Sequence, residues 1–252
     1  MARQKGIIKL KGSIGDITFY KTQDGYLARE KGGVDGHRIA TDPSFQRTRE
    51  NGAEFGRAGK AGKLLRSSIR SLLFNASDSR VVGRLTKTMV KILQADTVSE
   101  RGLRNVVLGD LGLLVGFEFN IRGKLGTTLF APYTVTINRV DTVLEVKIVS
   151  FVPVNMISAP RGTTHFKIVS GAMAIDFEEE FFDMVSAESD VLEWNAVAVP
   201  DLTLSNQFTE DNGYPLLFVL GIEFFQEVNG KLYSLKNGLF NPLSVVAVDI
   251  VK

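Results

Sequence analysis

The residues best suited to chemistry fall into two clusters of opposite charge. Asp176, Glu178, Glu179, Glu180 and Asp183 form the only acidic cluster. Arg80, Arg84, Lys87 and Lys91 recur at i, i+4, i+7 and i+11, the spacing of one face of a helix. Carboxylates this close together could hold a hard cation such as calcium. The run lacks the Asp/Asn alternation and central Gly of an EF-hand loop, so its plainer reading is a solvated turn or an assembly surface. Four cations on one exposed face could pair with the phosphates of a nucleic acid. Few aromatics stand nearby to stack on bases, and Glu50, Glu54 and Asp78 dilute the field. The plainer reading of that stripe is a solvated or protein-facing helix side.

The remaining reactive side chains are sparse. The chain has no cysteine, which excludes disulfides and thiolate chemistry. Its two histidines are His37, in a glycine-rich stretch, and His165, at a strand start. No Gly-x-Ser-x-Gly elbow and no His–carboxylate pairing occurs. The segment "GRAGKAGKLL", residues 56–65, has the look of a phosphate loop, but Gly62-Lys63 is followed by Leu64 where that loop needs Ser or Thr. "KGSIGD", residues 11–16, has the Gly-x-x-Gly spacing of a KH-domain clamp. That clamp joins two helices, whereas these flanks alternate as strands, so a tight turn is expected. We therefore assign no catalytic, cofactor-binding or metal-binding residue and expect a protein that is not an enzyme.

These clusters sit in a chain of 252 residues, enough for one large domain or two small ones, with 44% hydrophobic and 23% charged residues. The net charge of +2 hides an asymmetry. Residues 1–110 carry 21 Lys and Arg against 11 Asp and Glu, whereas the rest carries 9 against 17. Such a split suggests an acidic partner for the first half, or a second copy with the complementary surface. The longest apolar run, Leu216 to Ile222, is far short of a membrane span. The basic N-terminus is not followed by an apolar stretch, so the expectation is cytoplasmic synthesis without a Sec-type signal.

Periodicity divides the chain further. Ile7 to Lys11, Asp16 to Lys21 and Tyr26 to Glu30 alternate as short strands separated by glycine-containing turns, with Ile8, Leu10, Ile17 and Phe19 as the apolar positions. Lys31 to Thr41 is expected to be a loop. Asp42 then caps a helix with Pro43 at its first position. Phe55, Ala58, Gly62, Leu65, Ile69, Leu72 and Ala76 form its stripe. Gly52, Gly56, Gly59 and Gly62 would weaken this helix, or let another backbone come close. A second helix, capped by Ser77 or Asp78, runs from about Ser79 to Asp96. Its apolar stripe, Val82, Leu85, Met89 and Ile92, lies opposite the basic one, and the two helices are expected to form a hairpin. Residues 97–111 look like a connector. From Leu113 the period is two, with strands expected at 113–120, 128–138, 143–149, 165–177, 181–186, 201–208, 216–228, 231–235 and 243–251. Asn229-Gly230 is the strongest hairpin signal.

"GSIGDITFYKTQDGYLARE" followed by "DPSFQRTRENGAEFGRAGKAGKLLR" resembles the opening of a broad family of Bacteroidota proteins with no established activity. The matching features are Gly12 and Gly15, Gly25-Tyr26 with Arg29, and Pro43 with Gln46, Arg47 and Arg49. The segment "LGIEFFQEVNGKLYSLKNG" is similar to that family as well.

The expected fold is α+β. An N-terminal β-meander and helical hairpin, residues 1–111, would precede an antiparallel immunoglobulin- or fibronectin-like β-sandwich, residues 112–252. The leading functional expectation is a structural protein that self-associates into a filament, tube or virion-like shell. Its assembly surfaces would be Ile8, Leu10, Ile17 and Phe19, the basic stripe, and the acidic cluster. A nucleic-acid-binding protein using the basic helices is the first alternative, and a surface or carbohydrate-binding adhesin the second.

Overall fold

A computed structural model describes residues 1–30, 32–76 and 78–250. The chain divides into two compact units, 1–50 and 51–252. The α+β class expected from the sequence holds, with helices accompanied by antiparallel sheets.

The first unit is a small antiparallel sheet followed by short helices. Strands β1 (Ala2–Arg3), β2 (Gly12–Ile14), β3 (Ile17–Thr22) and β4 (Gly25–Glu30) pair in the order β1-β4-β3-β2. Ile7 to Lys11, expected as a strand, loops out instead. The Gln4 side chain takes up the backbone of Leu10, accepting from its N–H at 2.8 Å and donating to its carbonyl at 3.3 Å. Those groups are thereby withdrawn from any ladder. The stretch expected as a loop ends in helix α1 (Gly36–Thr41), capped by Asp35. Lys31 lies outside the described residues. Asp42 caps as expected, accepting from Ser44 N–H at 2.9 Å, but the turn it starts is a 3₁₀ turn, Pro43–Phe45, that leads into α2 (Gln46–Ser68). None of the described residues in 1–50 is buried.

The second unit holds the rest of α2, then α3 (Arg70–Asn75), α4 (Val81–Gln94), β5 (Tyr133–Asn138), β6 (Val143–Ile148), α5 (Pro153–Met156), β7 (His165–Asp176), β8 (Phe181–Glu188), β9 (Leu192–Glu193), β10 (Leu202–Gln207), β11 (Leu216–Val228), β12 (Lys231–Ser234) and β13 (Leu243–Asp249). The long strands β7 and β11 pair along ten positions, from Leu216 opposite Ala174 to Phe225 opposite His165. β8 and β9 line the outer edge of β7, while β12 and β13 share the outer edge of β11. A separate three-stranded sheet has the order β10-β6-β5.

Side-chain alternation along β7 and β11 explains the layering. Met173, Ile175, Leu217 and Val219 join Leu65, Ile69, Leu85, Met89 and Ile92 in one core. Ala172, Ala174, Phe218, Leu220 and Ile222 join Leu144, Val146, Ile148 and Leu204 of the smaller sheet in the other. Adjacent residues of a strand point to opposite faces, so this sheet is covered by helices on one side and strands on the other. The boundary expected at 111/112 consequently cuts through one of these cores. Gly171 permits the helical layer to sit close, because a Cβ there would lie 2.8 Å from Leu72 Cδ1.

Two further expectations change. Residues 113–120 do not form a strand. A 3₁₀ turn, Leu111–Leu114, starts the segment, which then runs beside β13 with Phe119 N–H donating to Leu243 O at 2.8 Å. Phe55 and Val82, expected in the buried helical stripes, are 62% and 48% exposed. Ser77 and Val251, expected as a cap and a strand end, lie outside the described residues.

Candidate functional site

Helix α4 is amphipathic and turns Leu85, Met89, Ile92 and Leu93 fully inward. Its basic residues do not act as one stripe. Arg80, Lys87 and Lys91 are exposed, but Arg84 folds back along the helix flank. Arg84 donates to Glu118 O at 2.5 Å, to Phe119 O at 3.1 Å and to the Asp78 carboxylate. Its guanidinium also lies over the Phe117 ring, 5.4 Å from the centroid. Asp78 accepts in addition from Ile121 N–H at 2.9 Å and Arg80 N–H at 2.6 Å. Burial pushes the Asp78 carboxyl up, but these N–H donors and Arg84 outweigh it and hold it below its ordinary value. Glu118 beside them is shifted the other way, upward, because burial outweighs the N–H groups of Leu125 and Gly126. The physical reason for the correction is reach: a long guanidinium on the edge of a polar face can satisfy carbonyls of a neighbouring loop.

Lys87 and Lys91 rim an apolar groove of about 740 Å³ between α2 and α4. Phe55, Gly59, Val82, Gly83 and Val90 supply its floor and walls. A Cβ placed on Gly59 or Gly83 would meet nothing within 4 Å, so the backbone is open to an approaching group there. The sequence signal for this groove was the glycine spacing in α2. The contributions of Val82, Gly83 and Val90 were missed, because Val82 was expected to face inward.

Asp176 to Glu180 of the acidic cluster form the turn between β7 and β8, and Asp183 lies in β8 opposite Ala174. Asp176 Oδ1 accepts from Glu178 N–H at 2.8 Å and Glu179 N–H at 3.0 Å, and Glu180 adopts a positive φ of 55°. Asp183 Oδ1 accepts from Met184 N–H at 2.8 Å. Phe177 and Phe182 pack against the helical core, while Phe181 is 53% exposed at the tip. Among the described residues, no group of three or more His, Asp or Glu is placed to hold a metal ion. Within the chain the turn faces α2. Glu180 lies 3.6 Å from Lys60, and Arg57, Lys60, Leu64, Phe177, Glu178 and Glu180 enclose a cavity of about 250 Å³.

The third set of expected site residues lies in the N-terminal unit. Ile8 is 80% exposed, Leu10 and Ile17 are exposed, and Phe19 is half-buried opposite Ala28. Only Ile17 and Phe19 sit in a strand, so the four do not make the single narrow face that alternation suggested. Among the described residues no helix is long and apolar enough to cross a membrane. No family model, curated protein or solved structure matches the chain.

Proposed function

We infer that this chain is a non-enzymatic structural subunit that self-associates into a filament, tube or shell. The observation that carries this reading is the first unit. Its four strands are paired, yet none of its described residues is buried, and Ile7, Ile8 and Ile14 stand in solvent. A sheet of this size is not stable without a covered face, and burying each such side chain contributes about 1.5–3 kcal/mol. Its edge strands have two and three residues, so parts of the longer inner strands are also open to a further strand. The two facing sheets of the second unit, of the immunoglobulin-like kind in this proposal, would form the rigid body of the subunit.

Phosphate pairing along α4 is the weaker reading, because Arg84 is committed to Asp78 and two carbonyls and no aromatic beside Lys87 or Lys91 besides Phe55 could stack on a base. Sedimentation velocity and negative-stain microscopy of the full chain over a range of concentration and salt test the leading reading. Association that grows with concentration, and that Ile8→Asp with Ile14→Asp abolishes without loss of circular dichroism, is the expected result. A single monomeric species under all conditions would refute it.

A further inference from the structure

The groove between α2 and α4 is apolar along its floor and positive at its rim, and the same chain presents a feature of opposite character. The β7–β8 turn has an exposed phenylalanine, Phe181, flanked by Glu178, Glu179 and Glu180. We propose that the β7–β8 turn of one copy docks in the α2/α4 groove of a second copy, with Phe181 against Phe55, Val82 and Val90, and Glu178 and Glu179 toward Lys87 and Lys91. This rests on the self-association reading and adds a second pair of surfaces beside the N-terminal strands.

Charge complementarity selects this occupant. Lys87 and Lys91 take part in no ion pair among the described residues, and neither does Glu179. Two grooves facing each other would bring four lysines together, and residues 1–30, with Arg3, Lys5, Lys9, Lys11, Lys21 and Arg29 against Asp16, Asp24 and Glu30, carry the wrong net sign for this rim.

Geometry excludes the chain's own turn. At about 100° per residue, Phe55 and Gly59 lie on one side of α2, Arg57 and Leu64 nearly half a turn away, and Lys60 about a third of a turn away. The turn is held against the second side through Lys60 and the walls of the smaller cavity. The groove on the first side is therefore left for a neighbour. The turn also comes preformed, since Asp176 fixes its backbone N–H groups, so docking it orders little new chain. Contact between unlike surfaces repeats from copy to copy and closes into a ring or continues as a filament.

The absence of cysteine makes the test direct. Gly83→Cys and Glu180→Cys place one thiol each at positions with open space or solvent and leave Phe181 in place. Mixing the two full-length variants under mild oxidation should yield the mixed disulfide in large excess over either homodimer, and over a pairing with Val140→Cys, a remote exposed position. In parallel, Lys87→Glu with Lys91→Glu should weaken association about tenfold or more, and mixing that variant with one carrying Glu178→Lys and Glu179→Lys should restore it. Gly83→Leu, which fills the groove without touching the core, should weaken it similarly. Wild-type association with no mixed disulfide and no response to the lysine reversals would overturn the docking while leaving self-association intact. Preferential Gly83→Cys homodimers would overturn it in favour of a groove-to-groove contact. A wild-type chain that stays monomeric at every concentration would remove both readings together.

Discussion

Arg84 separates two accounts of the basic helix, and its replacement by Ala has a consequence that can be worked from the contacts. If the four cations were equivalent surface charges, each substitution would cost no more than about 0.5 kcal/mol. Arg84, however, has a side chain only 26% exposed and pairs with an Asp78 side chain 8% exposed. Truncation leaves the Glu118 carbonyl without its donor, Phe119 O with only the Asp78 N–H at 3.4 Å, and Asp78 Oδ2 with the Ile121 N–H but no cation beside it. Hydrogen bonds to charged groups contribute about 1.5–3 kcal/mol each, and opening a buried pair from one side costs about 3–5 kcal/mol. These figures overlap rather than add, and partial exposure reduces them. Loss of the Phe117 contact works in the same direction. We expect Arg84→Ala to destabilise the protein by about 2–4 kcal/mol, equivalent to a Tm lower by roughly 5–15 °C for a unit of this size. Urea unfolding followed by circular dichroism gives the comparison, with Lys87→Ala and Lys91→Ala as references. An unchanged slope with a shifted midpoint would show that stability alone changed. If Arg84→Ala falls within about 0.5 kcal/mol of the two references, the guanidinium is solvated like its neighbours and its place in a structural knot is wrong.

Two other predictions probe the joints of the second unit. Burial pushes the Asp96 carboxyl up, but N–H groups of Ser99, Asn105 and Val98, with the Ser99 hydroxyl, outweigh it and hold it at about 2, below its ordinary 3.8. A depressed carboxyl stabilises the fold above its unfolded pKa and loses that contribution as pH falls from about 4 towards 2. Asp96→Asn should thus cost about 1–2 kcal/mol at pH 7, after allowance for solvent screening, and converge with wild type near pH 2 in urea titrations; parallel curves at all pH values would refute this. Gly238 has a φ of 72°, and a Cβ there would lie 2.1 Å from Asn75 O, whereas Gly230 has a φ of 74° and open space. Gly230→Ala should cost about 1–2 kcal/mol and Gly238→Ala about 2 kcal/mol more, measured as midpoints of thermal melts; equal costs would mean that the 235–238 turn yields freely.

The strands that are buried on both faces were the most legible part of the fold. β11 runs from Leu216 to Val228 as its apolar run indicated, and Asn229-Gly230 turns with positive φ at both residues. The same run held a signal about layering. "LLFVLGI" has no polar residue at alternate positions, as a strand with one solvated face would. Its continuous apolarity requires a second cover, and the helices, whose own stripe was legible at Leu65, Ile69, Leu85 and Met89, provide it. Separating helices from strands at residue 111 therefore followed the change of period and overlooked what each face had to bury. Residues 113–120 misled for a related reason. Leu111, Leu114, Phe117 and Phe119 all point inward, but the first three are spaced by three, and hydrogen bonding there is a 3₁₀ turn followed by an irregular run along β13.

Charge was legible in amount and less so in use. The excess of cations in residues 1–110 and of anions beyond suggested a neighbour, but part of the asymmetry is neutralised within the second unit. Lys60 meets Glu180, whereas Arg57 keeps its charge while its donors are committed to the carbonyls of Arg104 and Gly102. Arg84 is matched by Asp78 from its own half of the sequence. Net charge by segment cannot distinguish a cation that holds a loop from one that stands in solvent, because both have the same sequence spacing. What separates them is whether a carbonyl or carboxylate from another segment lies within reach, and that depends on the loop 118–121, far away in sequence. On α4, setting Arg84 aside leaves Lys87 and Lys91 at the edge of an apolar groove, and Glu179 lies two residues from the exposed Phe181. An ion pair in solvent stabilises an encounter by only about 0–1 kcal/mol, so the charges alone would specify orientation without holding two copies together. In the proposed docking the groove and Phe181 would supply the apolar burial that the charges lack, so that contact would be held by the pair of surfaces rather than by the charge split itself.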